Sequence, residues 1–480
     1  MPYRPDTDPA QGVADRWVFY GLLALLVWAP LPLGSNRVWA IGLLLMLVSL
    51  LLLGSLLAWW RYPVLAWQRL SQFKWPLGLL GCMLLLAWLQ NLPLPPNWVA
   101  AISPNAAAAQ AGAPSMTLSL DIYQSRIMAS LSFVYFAAFL LAALTVRQAS
   151  RLDLLARTLV WSGVAQAVLA VVLLSIKADY RIFFDHLTHG QAKGSFVYHN
   201  HLAGYLCMTL SVGIGLMLAR LSGKPTRHHN WRSRLLATLE FILSPKMRLR
   251  LLLIIMVIGL VLTRSRMGNS AFFAAMLIVG ALAIVLARKT APQTIALIIS
   301  LVIIDVLVIG TWVGLEKVVD RIQGTEVLVA DGGTSESIEA RSEAARTALA
   351  IVHDYPLVGT GGGSFYNIFL SYRTPQYAYS YVDHTHNDYV EIATDYGLIG
   401  LSILGLLVVL TLWHTIRIMA KRRSPLPWGI GFGVTMAVVA LLIHSTVDFN
   451  LQLPANALTI VVILAMAWSA RILPPNTRFH

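Results

Sequence analysis

The chain has 480 residues, 57% of them hydrophobic and 12% charged, with a mean hydropathy of +0.67 and a formal net charge of +14. A soluble chain carries about twice that charged fraction, so the composition excludes a water-soluble domain. Repeated apolar runs of about 20 residues imply a polytopic membrane protein. Only helices and closed barrels cross a bilayer, and the runs are of helix length, so the expected fold class is all-α.

The first sixteen residues are polar and carry Pro2, Pro5 and Pro9. An apolar run follows with no small-residue cleavage site, so the first helix is expected to be retained. About twelve spans are expected, at 17–33, 38–60, 75–92, 126–146, 152–175, 200–221, 249–263, 267–287, 291–315, 396–416, 427–446 and 455–472. With the N-terminus placed in the cytoplasm, alternation puts most of the 36 Lys and Arg residues in inner segments. The positive-inside rule supports that orientation, with both termini cytoplasmic. It also accounts for the basic charge without nucleic acid: the cations lie beside anionic membrane lipid. Cys82 and Cys207 both sit inside apolar runs, so there is neither a disulfide framework nor a Cys-based metal motif.

Four regions follow. Residues 1–190 hold the N-terminal spans. Residues 191–315 form a central core with an outer arginine turn, "TRSRMGN", at 263–269. Residues 316–395 are a long extracytoplasmic loop between spans nine and ten, and 396–480 are the C-terminal spans. Arg264 and Arg266 stand on the side where the charge rule disfavours them; they either snorkel to headgroups or form an anion site. In the loop, "SIEARSEAARTALAIVHDYP" reads as a helix capped by Thr334 or Ser335 and stopped by Pro356. Ile338, Ala345, Leu349 and Val352 make its apolar stripe, and Arg341 and Arg346 project from it, where pairing with a nearby Glu is the common fate. "GTGGGSF" at 359–365 reads as a flexible turn.

Polar groups gather at one level, the outer edge of the bilayer. "KGSFVYHNHLAGYL" brings His199, Asn200 and His201; "HTHNDYVEIATDYGLIG" brings His384, His386 and Asn387; "HSTVDFNLQLPANA" is a third polar junction. Ionisable groups at that depth are costly and are functional candidates. The two His-x-His pairs could chelate a metal only from extended backbone, since i and i+2 diverge on a helix. No spacing such as HExxH appears, so no metal is assigned. A histidine suits proton removal from a hydroxyl near neutral pH, and arginines suit a pyrophosphate leaving group. A transporter could use the same groups to bind an anion, but would need access from both faces.

These residues carry a recognisable pattern. The chain resembles the O-antigen ligase / O-antigen polymerase superfamily of bacterial inner-membrane glycosyltransferases. The motif is His386, Asn387, nine residues, Gly397, two residues and Gly400. "SRMG" supplies Arg266, and Arg341 precedes "DYPLVGTGGGSF" as the loop-helix arginine does in the family. "GSFVYHNHLAGYL" looks like the family's earlier asparagine-containing segment. His384 is an addition to the pattern.

The resemblance implies inverting, metal-independent transfer of a glycan from undecaprenyl pyrophosphate at the periplasmic face of the inner membrane, with no cofactor. His386 would be the base. Arg266 and Arg341 would hold the pyrophosphate, with Arg264 in support. His199, Asn200, His201, Asn387 and His384 are candidate donor or acceptor contacts. A lipid A–core ligase is favoured. A polysaccharide polymerase and a pilin-directed O-oligosaccharyltransferase share the scaffold, and a lipid-linked sugar flippase or anion transporter is the alternative of another class. A helix starting near 383–386 would put Val390, Ala393, Gly397 and Gly400 on one small-residue face below His386.

Overall fold

The computed structural model describes residues 15–178, 191–221, 245–286, 338–373, 382–421 and 424–473. Among them the chain is helical, with no strand and one isolated bridge, Leu94 to Met116. The N-terminal third gives α1 (Arg16–Trp28), α2 (Val38–Trp59), α3 (Pro63–Ser71), α4 (Lys74–Leu89), α5 (Pro96–Ile102), α6 (Pro104–Ala109), α7 (Ile122–Thr145) and α8 (Ala149–Ser175). The centre gives α9 (His199–Leu221), α10 (Pro245–Leu262) and α11 (Arg266–Leu286). The remainder gives α12 (Ile338–Asp354), α13 (Phe365–Phe369), α14 (Asp388–Lys421), α15 (Pro425–His444) and α16 (Pro454–Ile472).

Eight of these helices are long and apolar enough to cross a membrane, and nine if α3 and α4, bent by 90° against each other, are one broken span. The short α1 has 13 residues, and α10 carries Lys246, Arg248 and Arg250 near its start, so neither joins that set. The expected span at 291–315 and the expected caps Thr334 and Ser335 lie outside the described residues.

The most enclosed helices are α9, α15 and α16. A transmembrane helix gains little from burying apolar surface against apolar surface, so close packing must come from shape, which favours glycine at the contact. Gly215 of α9 meets the backbone of Gly429 and Gly433 of α15, where an added Cβ would fall 2.2 Å from the Gly429 carbonyl oxygen.

Contacts between loops sort the helix ends into two sets, as the alternation of spans requires. At one end Ser195 Oγ donates to Pro30 O, the Ala192 N–H to Leu262 O, Asn456 Nδ2 to His201 O and the Asp388 N–H to Ser445 O. At the other, Arg147 and Arg151 bond Asp15, Arg157 and Arg220 bond Asp153, and Arg69 donates to the carbonyls of Ala143 and Val146. All three polar junctions and the arginine turn fall in the first set.

Three local expectations are corrected. The buried face of α12 is Ala344, Ala348 and Ile351, while Leu349 is 53% exposed and Ala345 and Val352 are only partly covered. The small alanines let α12 approach α14 closely, and that outweighs side-chain hydrophobicity in choosing the face. The "GTGGGSF" segment is packed, with Thr360 and Ser364 fully buried and hydrogen-bonded to each other. Finally, α14 starts at Asp388 and is broken at Gly397 (φ 64°, ψ −173°). His386 precedes the helix, so no continuous small-residue face joins it to Gly397 and Gly400.

The break at Gly397 has a clear hydrogen-bond logic. An unbroken helix would pair the Leu398 and Ile399 N–H groups with the carbonyls of Thr394 and Asp395. Instead Leu398 and Ile399 donate to Pro356 and Leu357, and the N–H groups of Thr360 and Gly361 take the carbonyls of Thr394 and Asp395. Gln90 Nε2 adds bonds to Val358 O and Asp395 O. The loop after α12 thus threads through the helix break, and the two N–H groups and two carbonyls that the break frees are all paired. Only glycine fits at 397, since a Cβ there would lie 2.2 Å from Leu357 O.

Candidate active site

His386 sits in the left-handed region, φ 53°. Histidine enters that region more readily than most residues, though at a cost of order 1 kcal/mol or more. Its neighbours hold the turn. Asn387 is the helix cap: its Oδ1 accepts from the N–H groups of Tyr389 and Val390, and its Nδ2 donates to Thr446 O. Thr385 Oγ1 bonds Asn387 O and Glu391 Oε2, and the Thr385 N–H also donates to Glu391 Oε2. Glu391 Oε1 pairs with His384 Nδ1 at 2.5 Å. One buried carboxylate one turn into α14 therefore fixes the two residues before His386.

Asp388, also buried, fixes α14 to the 445–451 junction. Its Oδ2 accepts from Ser445 Oγ at 2.6 Å, and its carboxylate takes the Leu451 N–H. Acids in a first helical turn are favoured by the helix dipole; here both also tie down loops. Asp395 completes the set by accepting the Gly363 N–H at 2.7 Å.

The hub of the site is Phe449. His384 stacks on its face with centroids 4.1 Å apart and planes at 18°. His386 meets it edge-on at 5.0 Å, and His201 does so at 4.7 Å. Tyr198 closes the cluster against both His201 and Phe449. Three histidines from two distant segments thus converge on one ring. His201 is 1% exposed, and neither ring nitrogen has a hydrogen-bond partner among the described residues. His199 and Asn200 are partly exposed beside it. His444 Nε2 lies 3.3 Å from Asp448 Oδ2 at the same level.

The protonation states differ. Burial alone would push the His384 imidazolium down, but the charge and hydrogen bond of Glu391, with Asp383 and Asp395 beyond, outweigh it and raise the pKa to about 9. His384 therefore already carries its proton at neutral pH. Burial would raise the Asp448 carboxyl, but the hydrogen bond and charge of His444, with His201, hold it well below the usual range.

Arg264 and Arg266 are both exposed on the turn between α10 and α11. Arg264 is itself left-handed, φ 56°, and Ser265 caps α11 by accepting the Gly268 N–H. Gly268 lies against Ala203, one turn into α9, so the arginine turn stands at the level of His199–His201. No ion pair with a described residue engages either arginine, and no described hydrogen bond joins them to His386. Arg341 lies on α12; its side chain is outside the described residues. Among the described residues no group of three or more His, Cys, Asp or Glu is arranged to hold a metal ion.

Residues 251–405 match the model of a protein family described as O-Antigen ligase. Over this stretch the chain is similar to the O-antigen ligase family. The match spans α10 to the upper part of α14, and so contains Arg264, Arg266, Arg341, His384, His386 and Asn387. His201 and Phe449 lie outside it and reach the site through the fold. No curated protein matches the chain. The family is one of ligase- and polymerase-type membrane glycosyltransferases, which use a lipid-linked glycan donor and an acceptor.

Sequence reasoning missed Phe449, Thr385 and Asp448 as parts of the site, and saw Glu391 only as a first-turn acid and possible oxygen ligand, not as the brace of Thr385 and His384. The i,i+4 spacing of His444 and Asp448 was a visible signal. Nothing in the spacing marked Phe449, because an aromatic residue beside a membrane helix is ordinary.

Proposed function

We propose that the protein transfers a glycan from undecaprenyl pyrophosphate to an acceptor hydroxyl at the periplasmic face of the bacterial inner membrane, with lipid A–core sugar as the favoured acceptor. The observation that carries this reading is the His386 turn. A partly exposed imidazole is presented in a braced left-handed conformation, at the same end of the bundle as two exposed arginines.

In this reading His386 removes the proton from the acceptor hydroxyl. The acceptor oxygen forms a bond to the anomeric carbon of the donor sugar from the face opposite the leaving group. The bond from that carbon to the pyrophosphate oxygen breaks, its electron pair stays on the pyrophosphate, and the anomeric configuration inverts. Arg266 and Arg341, with Arg264, stabilise the departing charge. His384 adds a fixed positive charge next to the base and, being protonated, is not itself the base. No step calls for a metal or cofactor. His199, Asn200 and His201 line the acceptor or donor side, and Asn387 acts through the cap.

The test is the glycan phenotype of a deletion strain complemented with wild type or His386→Ala. Lipopolysaccharide lacking its whole O-chain, restored by wild type alone, is expected. A single retained repeat would reassign the chain as a polymerase, and an unglycosylated pilin with normal lipopolysaccharide as a protein-directed enzyme. Full restoration by His386→Ala would sink the catalytic assignment.

A further inference from the structure

Residues 91–120 connect α4 to α7 at the histidine end, where the Leu120 N–H donates to Thr360 O. They contain no Asp, Glu, Lys, Arg or His, although 12% of the chain is charged. A connection that runs through water normally carries such residues, because its surface is solvated. This one holds α5, α6 and their turns instead.

Its polar groups are largely turned inward. Leu94 and Met116 exchange both of their backbone hydrogen bonds. Gln110 Nε2 donates to the carbonyls of Ala106 and Thr117, and Gln110 Oε1 accepts the Thr117 N–H. Thr117 Oγ1 donates to Ser119 O, and the Ser119 N–H donates to Gln90 O. A loop that pairs its amides with its own backbone suits surroundings that offer little water.

The outward side is apolar. On α5, Trp98, Ala101 and Ile102 share one exposed face, at i, i+3 and i+4, and Trp98 is 63% exposed. Below it, α4 exposes Leu85, Trp88, Leu89 and, just past its end, Leu92. Their spacing, i, i+3, i+4 and i+7, makes one stripe. With α3, α4 qualifies as a broken membrane span, so this stripe faces lipid. The face of α5 continues it, and tryptophans concentrate where acyl chains meet headgroups. The inward side is fixed to the protein. Val99 and Ala106 are buried in one cluster with Ala344, Ala348 and Ile351 of α12, and Asn105 Nδ2 donates to Asp354 O at 2.8 Å.

We propose that α5 and α6 form an interfacial element that enters the bilayer leaflet at the histidine end, with Trp98, Ala101 and Ile102 at the boundary of headgroups and acyl chains. Lipid is the partner because the face is uncharged and runs on from a lipid-facing stripe. The element then has two contacts, lipid on one side and α12 on the other. The leaflet thereby sets the height of α12 over the membrane. Gln90, at the foot of the same connection, carries that reference to the crossing at Gly397 through Val358 O and Asp395 O.

Depth can be measured on the full-length protein in vesicles of phosphatidylethanolamine and phosphatidylglycerol. In a Cys82→Ala/Cys207→Ala background, a nitroxide is attached through Leu85→Cys, Trp98→Cys, Ala101→Cys, Ile102→Cys or His353→Cys, one at a time. Power saturation then compares collisions with oxygen, which concentrates in lipid, and with a nickel chelate, which stays in water. His353, with a side chain 89% exposed, is the water reference, and Leu85 is the lipid reference. The oxygen-to-nickel ratio at 98, 101 and 102 should stand several-fold above that at 353 and below that at 85. Elution volume reports folding, and Ala101→Cys removes no large side chain, so it keeps the test valid if Trp98→Cys does not fold. A ratio at 98, 101 and 102 equal to that at 353 overturns the proposal, since the element is then in water. Few collisions with either reagent also overturns it, since protein then covers the face. The readout needs no glycan transfer, so it stands apart from the catalytic assignment.

Discussion

At the histidine end, the buried carboxylates Asp388, Glu391 and Asp395 accept from backbone N–H groups, hydroxyls and one imidazole of the surrounding loops. At the opposite end, Asp15 and Asp153 accept from pairs of arginines. The first set holds irregular backbone in shape, and the second neutralises cations gathered at the helix ends. A carboxylate that neutralises a charge leaves the backbone free to be ordinary helix. One that holds a loop allows left-handed residues such as His386, crossed glycines and a partly exposed imidazole. The difference puts braced, irregular backbone at one end and charge balance at the other.

Five variants or conditions break or sharpen that contrast. The largest effect is expected from His386→Ala, which should lower glycan transfer by at least about 100-fold, the usual contribution of a general base, with an unchanged melting temperature. Next, Gly397→Ala forces a Cβ onto the Leu357 carbonyl at a backbone angle suited to glycine. It should destabilise the protein by about 4 kcal/mol, seen as loss of monodisperse protein in detergent. At the other end, Asp15→Asn leaves Arg147 and Arg151 without their shared acid. A stability loss of about 3 kcal/mol, with turnover per folded molecule unchanged, would confirm that this end is structural; a changed turnover would break the contrast.

Glu391→Gln keeps the shape of the side chain but weakens its hold on Thr385 and His384. Transfer should fall about ten-fold, the scale of one charge-assisted hydrogen bond, with the fold retained. The smallest effect is a pH dependence. The folded pKa of His384, about 9, lies above its ordinary value of 6.5. Its stabilising contribution is thus complete below about pH 6.5 and lost as the pH rises through 9. The melting temperature should decline across that window, and His384→Gln should flatten the decline.

Much of this contrast is legible in the sequence, for reasons that differ by residue. Apolar runs mark the helices because the bilayer demands them. His386, Arg264, Arg266 and His201 are visible as polar groups at helix mouths. The left-handed turn at His386 is not legible, because it is held by Glu391, Thr385 and Asn387 together, and by contacts with Thr446 and Ser445. Gly397 misleads because its spacing from His386 suits a helical face as well as a break. A period alone cannot separate a glycine that packs from one that lets another chain segment pass. The α12 face was misread for a related reason: alanines chosen for closeness look weaker than an exposed leucine.

The break at Gly397 also separates two mechanical parts. Residues 398–421 form the lower rod of α14, and at 1.5 Å per residue such a rod is about 36 Å long, enough to cross the hydrocarbon core unaided. The upper turns, 388–396, carry the cap and the braces of His386 and are fastened to the loops around them. The two parts are joined at a single non-helical residue, Gly397, so the axis of the lower rod is set apart from that of the turns that brace His386.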